Sequence, residues 1–255
     1  GKKRDTSGFA DSRPRYSFDY TALSQQGFLI PNSERSTIAE EYRSLKRPIL
    51  MNAFGKGAVP VENGNLIMVT SSVPGEGKTF SSLNLAMSMA MERDKTVLLV
   101  DCDVLRASMT KLLGLKDRIG LLEVLKSSSV SLNDVIIKTD IPNFSIIPAG
   151  QPQLNSTELL ASEEMERITF DLSARYPDRI ILFDAPPLLA TTEASVITEL
   201  MGQIIMVVEC GGTLHGTVTE ALAQLNKDKI IGLLLNKSRR TARSEYYSGG
   251  GYYGK

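Results

Sequence analysis

The chain is poor in the residue types from which metal centres, disulfide frameworks and histidine chemistry are built. Its 255 residues include two cysteines, Cys102 and Cys210, and one histidine, His215. The cysteines lie far apart, with no spacing that suggests a metal site or a disulfide, and a reducing compartment is the simplest reading. A metal–sulfur carrier would need paired cysteines close to one another, which these are not. His215 follows Gly211-Gly212, a loop signature, and this argues against histidine-based catalysis. Charge of one sign is missing too: 29 Lys and Arg balance 29 Asp and Glu. No global field therefore recruits nucleic acid or an anionic membrane. No apolar run approaches the roughly 18 residues of a membrane-spanning helix. The chain opens Gly-Lys-Lys-Arg, with no apolar signal segment behind it, and a first residue other than Met fits a piece of something longer. What remains is a length sufficient for one large domain with a full core, and ordinary apolar and charged fractions of 42% and 23%.

Against this background one stretch stands out, Ser71-Ser72-Val73-Pro74-Gly75-Glu76-Gly77-Lys78-Thr79. The apolar run Leu66–Thr70 before it has strand length, and Phe80–Met91 after it, free of Gly and Pro, reads as a helix. Strand, Gly-rich turn and helix with Gly-Lys-Thr at the turn's end form the context of a phosphate-binding P-loop. Gly75 and Gly77 can take backbone angles closed to other residues, and they let amide N–H groups approach phosphate oxygens. Pro74, Gly75, Glu76, Gly77, Lys78, Thr79 and Phe80 are thus the predicted nucleotide-binding segment. Lys78 would reach the β- and γ-phosphates, and the Thr79 hydroxyl would ligate Mg²⁺. The first glycine of G-x-x-x-x-G-K-[ST] is Ser72 here. A dinucleotide G-x-G-x-x-G fails, because Phe80 takes the third glycine's place.

Along the rest of the chain, short apolar runs alternate with helical segments. Strands are predicted at Leu66–Thr70, Val97–Val100, Phe144–Ile147, Ile180–Phe183, Ile204–Val208 and Ile231–Leu235, each near-continuously apolar as in a sheet buried on both faces. Helices are predicted at Phe80–Arg93, Gly120–Lys126, Ser156–Arg175, Thr192–Leu200 and Thr217–Asn226. Repeated βα units imply a doubly wound, mostly parallel α/β domain flanked by helices, over 64–238. Before it, residues 1–35 read as a mostly irregular extension and 36–63 as a helix with a Gly-rich linker. In that helix Ile38, Tyr42, Leu45 and Ile49 share one face, Thr37 and Glu40 have capping-box spacing, and Pro48 marks the end. Residues 239–255 hold no apolar aliphatic residue beyond Ala242 and read as a flexible tail.

In such sheets ligands sit beyond the carboxyl ends of the strands, and two predicted strands end in acids. Val97–Val100 is followed by Asp101-Cys102-Asp103, and Ile180–Phe183 by Asp184-Ala185-Pro186-Pro187. A carboxylate at the tip of a buried strand is costly unless a cation or donor meets it. Asp184 suits Mg²⁺ bound to nucleotide phosphates, though it could instead cap the next helix. Asp101 and Asp103 share one face at spacing two, so one could bind the metal while the other accepts a proton from an attacking hydroxyl. Cys102 between them should point into the core.

Through these motifs the chain resembles the bacterial tyrosine kinases of exopolysaccharide biosynthesis, P-loop proteins unrelated in fold to eukaryotic kinases. The similarity runs from about Ile38 to the C-terminus. It rests on Gly77-Lys78-Thr79, Leu98-Leu99-Val100-Asp101-Cys102-Asp103, Phe183-Asp184-Ala185-Pro186-Pro187, Pro148-Ala149-Gly150 with Glu158-Leu159-Leu160, and the tyrosines of the tail. The resemblance implies ATP and Mg²⁺ as cofactors and autophosphorylation of Tyr246, Tyr247, Tyr252 and Tyr253 in trans, within a ring-shaped homo-oligomer. It implies Asp101 as the base, Lys78 and Asp103 beside it in catalysis, and Asp103 and Asp184 with Thr79 on the metal. Glu40-x-x-Arg43-x-x-Lys46 resembles the family's oligomerisation motif E-x-x-R-x-x-R, with Lys46 in place of the last Arg. A capping box and a solvated helix face would explain the first two equally well. After Asp103, where the family often has adjacent basic residues, this chain departs with Leu105-Arg106-Ala107. Asn236 resembles the residue that reads adenine in related ATPases. The expected partners are a membrane protein that controls polysaccharide chain length, as activator, and a tyrosine phosphatase. The expected place is the cytoplasm, at the inner face of the plasma membrane. The N-terminal extension and its helix look most like the stand-alone members of the family.

The tail Tyr246-Tyr247-Ser248-Gly249-Gly250-Gly251-Tyr252-Tyr253 combines acceptors with a pliable hinge. Each phosphotyrosine adds about −1.5 to −2 charges, beside Arg239, Arg240 and Arg243. Accumulated phosphate is therefore expected to weaken subunit or activator contacts. Nucleic-acid binding by the tail is the weaker reading, since the basic stretch is short and the chain neutral. Two other functions stand beside the kinase: a partitioning-type switch ATPase with water as acceptor, and a nucleotide-binding regulatory scaffold. Four tyrosines on a glycine hinge favour the kinase.

Overall fold

A computed structural model describes residues 15–31, 36–55, 61–175 and 178–238. The predicted phosphorylation sites Tyr246, Tyr247, Tyr252 and Tyr253 lie outside these residues. The chain begins with α1 (Tyr20–Gln25) and α2 (Thr37–Ala53), then β1 (Leu66–Ser71), α3 (Lys78–Ala90), β2 (Thr96–Asp101) and α4 (Ser108–Leu112). Next come α5 (Leu121–Lys126), α6 (Leu132–Val135), β3 (Ile137–Lys138), β4 (Phe144–Ile147), α7 (Ser156–Leu160) and α8 (Glu163–Arg175). The last are β5 (Arg179–Asp184), α9 (Glu193–Leu200), β6 (Gln203–Glu209), α10 (His215–Leu222) and β7 (Ile230–Asn236).

The strands form one seven-stranded sheet in the order β3-β4-β2-β5-β1-β6-β7. All neighbours run parallel except the two-residue β3, which pairs antiparallel with β4. Alternation along β1 shows why its run is continuously apolar. Leu66 and Met68 join the core under α5, α7, α8 and α9, while Ile67 and Val69 join the core under α2 and α3. Each strand crossover returns the chain to the same edge of the sheet, so the ends of β1, β2 and β5 lie side by side. Asp101 is registered opposite Asp184, and Asp184 opposite Val69 of β1.

Besides adding the short elements α1, α4, α6 and β3, the structure departs from the predicted elements in four places. Residues 15–31 are mostly irregular in backbone but are not detached. Tyr16 bridges Thr139, Phe18 stacks on Phe144 with centroids 5.8 Å apart, and Leu29 is 1% exposed. The Leu29 N–H donates to Asn84 Oδ1 of α3 at 2.7 Å. Second, Pro48 lies inside α2 instead of ending it. The turn around it is held from outside, because Gln203 Nε2 donates to the Ile49 carbonyl at 3.1 Å and Asn52 Nδ2 to Gln203 Oε1 at 2.9 Å. Third, the single helix predicted over Ser156–Arg175 breaks at Ala161-Ser162, where the Ser162 hydroxyl accepts from Met165 N–H and starts α8. Fourth, β7 is an edge strand, with Leu233 and Leu235 58% and 61% exposed, although its apolar run predicts burial on both faces.

The packing of the N-terminal segment generates a prediction. Leu29→Ala should destabilise the fold by about 2–5 kcal/mol, read from urea unfolding monitored by circular dichroism. A loss below about 0.5 kcal/mol would show that this segment is not part of the cooperative unit.

Candidate functional site

The segment predicted to bind phosphate forms the turn from β1 into α3. Gly75 and Gly77 take φ of 94° and 96°, the left-handed region that a Cβ makes costly. Ser72, which stands where the P-loop pattern has its first glycine, needs no positive φ and is fully buried. The backbone therefore does not require a glycine there, although the buried Ser72 hydroxyl has no hydrogen-bond partner among the described residues. Gly77 caps α3 without a side-chain hydrogen bond, so the first N–H groups of the helix keep their capacity for an anion. Phe80 turns away from this end and packs on Phe28, centroids 4.8 Å apart.

Lys78 points under the turn into a nest of carboxylates. It is 7% exposed, and Asp101, Asp103 and Asp184 are each 2% exposed or less. Lys78 Nζ lies 2.6 Å from Asp103 Oδ2 and 3.9 Å from Asp184 Oδ1. Burial pulls the Lys78 ammonium toward losing its proton, but the charges of Asp184 and Asp103 more than offset this, so its proton affinity ends above the ordinary value. Asp184 accepts from the Thr79 hydroxyl at 2.8 Å and from the Ser82 hydroxyl at 3.0 Å. Burial nonetheless raises its pKa. Asp101 Oδ2 accepts from the N–H and hydroxyl of Thr110 at 2.9 and 2.7 Å, while its Oδ1 has no hydrogen-bond partner. Burial first, then the neighbouring Asp184, pushes Asp101 up to about 7. The same cause drives the Cys102 thiol well above its usual range, and Cys102 packs in the core as predicted.

One ammonium among three buried carboxylates leaves negative charge in excess, and Asp101 Oδ1 orphaned. That imbalance suits a divalent cation. Among the described residues no group of three His, Cys, Asp or Glu side chains could hold a metal ion on its own. Mg²⁺ does not require one, since it is commonly bound through one or two carboxylates plus substrate phosphates. Thr79 and Asp184, hydrogen-bonded to each other, and Asp103 beside Lys78, are the residues that fit it.

The other predicted residues fall in different places. Asn236, at the end of β7, reaches the turn and donates from Nδ2 to the Glu76 carbonyl at 2.8 Å. Glu40 and Arg43 are half exposed on α2 and pair with each other. The cap of α2 is Ser36, whose hydroxyl accepts from Ala39 N–H, and Glu40 does not close a capping box. Lys46, the third residue of the expected oligomerisation motif, is buried and paired within this chain. It is 5% exposed, donates to the Ser88 carbonyl at 2.6 Å and pairs with Glu92 at 2.6 Å, both on or just beyond α3. Pattern reasoning missed Thr110, Ser82 and the side chain of Glu76. Ser82, one turn after Lys78, was within reach of helical spacing. Thr110 follows Asp101 by nine residues through an irregular loop, and no periodicity signals it.

The raised proton affinity of Asp101 has a measurable consequence. Its pKa is above the unfolded value of 3.8, so folding favours the protonated acid, and stability falls as pH rises from about 4 to about 7 and then levels. Asp101→Asn keeps the acceptor for Thr110 and removes the charge. It should be more stable than wild type by roughly 1–4 kcal/mol at pH 8 and about equally stable at pH 4. Equal stability at both values, from urea titrations, would contradict the charged nest.

Comparison with known proteins identifies the family. Residues 64–230 match the family model of the AAA domain. The chain is 28% identical over 233 residues to the tyrosine-protein kinase YwqD of Bacillus subtilis (strain 168), across 90% of this chain and 92% of that protein. It is 33% identical over 191 residues to the tyrosine-protein kinase wzc of Salmonella typhimurium (strain LT2), across 74% of this chain but only 26% of that longer protein. Among solved structures, the BceF tyrosine kinase domain superposes with a TM-score of 0.69 at 27% identity, over 84% of this chain and 86% of that one. A P-loop ahead of buried strand-end acids, on a fold and sequence shared with these proteins, places the chain in the AAA-domain family, among the bacterial tyrosine-protein kinases.

Proposed function

We propose that this tyrosine kinase transfers the γ-phosphoryl group of ATP to the tyrosines of its own kind of tail, Tyr246, Tyr247, Tyr252 and Tyr253, between neighbouring copies. The observation that supports it most is the nest itself: Lys78 beneath two positive-φ glycines, with three carboxylates of adjacent strand ends around it. In this reading the N–H groups of the turn and the start of α3 hold the phosphates. Thr79, Asp184 and Asp103 would hold Mg²⁺, which would supply neutralisation of the phosphate charge.

Lys78 has one head group and two claims on it. When it turns to the phosphates its pairing with Asp103 is given up, and the nest opens. Opening is required, because Asp101 is fully buried. Its raised proton affinity and unpartnered Oδ1 suit it to accept the proton of the tyrosine hydroxyl. The bond from tyrosine Oη to the γ-phosphorus forms, the bond from that phosphorus to the bridging oxygen of ADP breaks, and the hydroxyl proton passes to Asp101.

The wider role follows from the resemblance: control of exopolysaccharide synthesis and export, with a membrane chain-length protein as activator and a phosphatase to reset the tail. No described helix is long and apolar enough to cross a membrane, and an activator of that kind would bring the chain to the inner membrane face. Assembly into a ring would use the exposed Glu40 and Arg43. Lys46, being internal, would support the helix that displays them.

Intact-mass measurement after incubation with Mg²⁺ and ATP tests the proposal. The full chain should gain phosphates in steps of one, while a chain truncated after Arg243 and a Lys78→Met variant gain none. Steady loss of ATP with no added mass would move the reaction to a switch ATPase with water as acceptor.

A further inference from the structure

Glu76 occupies a variable position of the P-loop pattern, yet it is the most connected residue of the turn. Its neighbours Gly75 and Gly77 are the most pliable backbone there, both at positive φ. Its carboxylate is 1% exposed and is held by three donors. Oε2 accepts from Val73 N–H at 2.8 Å. Oε1 accepts from Glu209 N–H at 3.2 Å and from the Thr213 hydroxyl. Its own carbonyl accepts from Asn236 Nδ2 at 2.8 Å. One residue thereby joins the start of the turn, the end of β6 with its following loop, and the end of β7.

A buried carboxylate in a loop that receives phosphates opposes an anionic ligand by simple Coulomb repulsion. Its contribution must therefore be positional. The side chain pins a peptide that two glycines would otherwise leave loose, and with it the carbonyl that Asn236 meets. Asn236 lies against the turn: a Cβ on Gly77 would stand 2.0 Å from its Nδ2. Flipping the carboxamide would set its oxygen against the Glu76 carbonyl, acceptor to acceptor. The amide nitrogen is thus spent on the turn, and Oδ1 is the end of Asn236 left to meet a ligand. An acceptor in that position favours a purine with an amine at position 6 over one with a carbonyl there.

Resting on the nucleotide-site reading above, we propose that the Glu76 side chain is a positioning residue for base selection, fixing the Asn236 carboxamide so that the site takes 6-aminopurine nucleotides. Thr213, which donates to the same carboxylate, belongs to this device. Neither residue has to touch the reacting phosphate.

The experiment compares fluorescent N-methylanthraniloyl ADP and IDP, which differ at purine position 6, by titration of the full chain without turnover. Wild type should prefer ADP by about tenfold or more. Glu76→Gln keeps the size but replaces one acceptor with a donor, leaving at least one of the three N–H and O–H groups unmatched. It should bring the preference to within about threefold, as should Thr213→Val, while Thr213→Ser keeps the wild-type ratio. An unchanged ratio in Glu76→Gln and Thr213→Val, with melting temperatures near wild type, overturns the inference; should Glu76→Gln not fold, the Thr213 pair decides. Equal binding of both nucleotides by wild type also overturns it. Binding of neither overturns the nucleotide-site reading itself.

Discussion

The site depends on a charge imbalance that the fold cannot relieve from within. Asp101, Asp103 and Asp184 are brought together by strand register, and among the described residues Lys78 is their single ammonium partner at close range. Burying one carboxylate without compensation costs several kcal/mol or shifts its pKa, and the shift of Asp101 to about 7 shows the second outcome. Lys78 is drawn down from the phosphate-binding turn by the same imbalance. A ligand that brings a divalent cation into the nest and phosphates above it relieves both, freeing Lys78 for the phosphates. Stability and ligand binding are coupled at these residues because they draw on the same unbalanced charge.

The rest of the architecture holds that nest in place. The two sides of the sheet are filled by separate cores, so the central strands are buried on both faces. The helix α2 packs on α3, with Lys46 reaching the last turn of α3 through the Ser88 carbonyl and Glu92. The segment at 15–31 reaches the same helix through Leu29 and Asn84. Both elements that precede the nucleotide-binding domain thus brace the helix that begins at Lys78.

Much of this was legible from residue order. Gly-Lys-Thr after an apolar strand, and acids closing two other apolar runs, locate the site because open parallel sheets gather strand ends on one edge. What was not legible depended on partners distant in sequence. The apolar run of β7 reads as buried, but its place at the sheet edge, set by strand order, exposes Leu233 and Leu235. Pro48 reads as a helix end because local sterics favour that, and the side chain of Gln203 overrides it from about 150 residues away. Glu76 reads as a variable loop residue, since its three donors come from the turn, from β6 and from the loop after it. Lys46 resembles the last position of the family's oligomerisation motif, and nothing in that resemblance signals its burial against α3.

The most direct test of the charge imbalance is thermal melting of the full chain at pH 8 with Mg²⁺ alone, ADP alone, and both. Mg²⁺ and ADP together, at about a hundredfold excess over Kd, should raise Tm by roughly 5–10 °C, well beyond the sum of the separate shifts. Asp184→Asn should remove that excess. Separate shifts that simply add, or an excess that survives Asp184→Asn, would contradict a nest that needs cation and phosphate together.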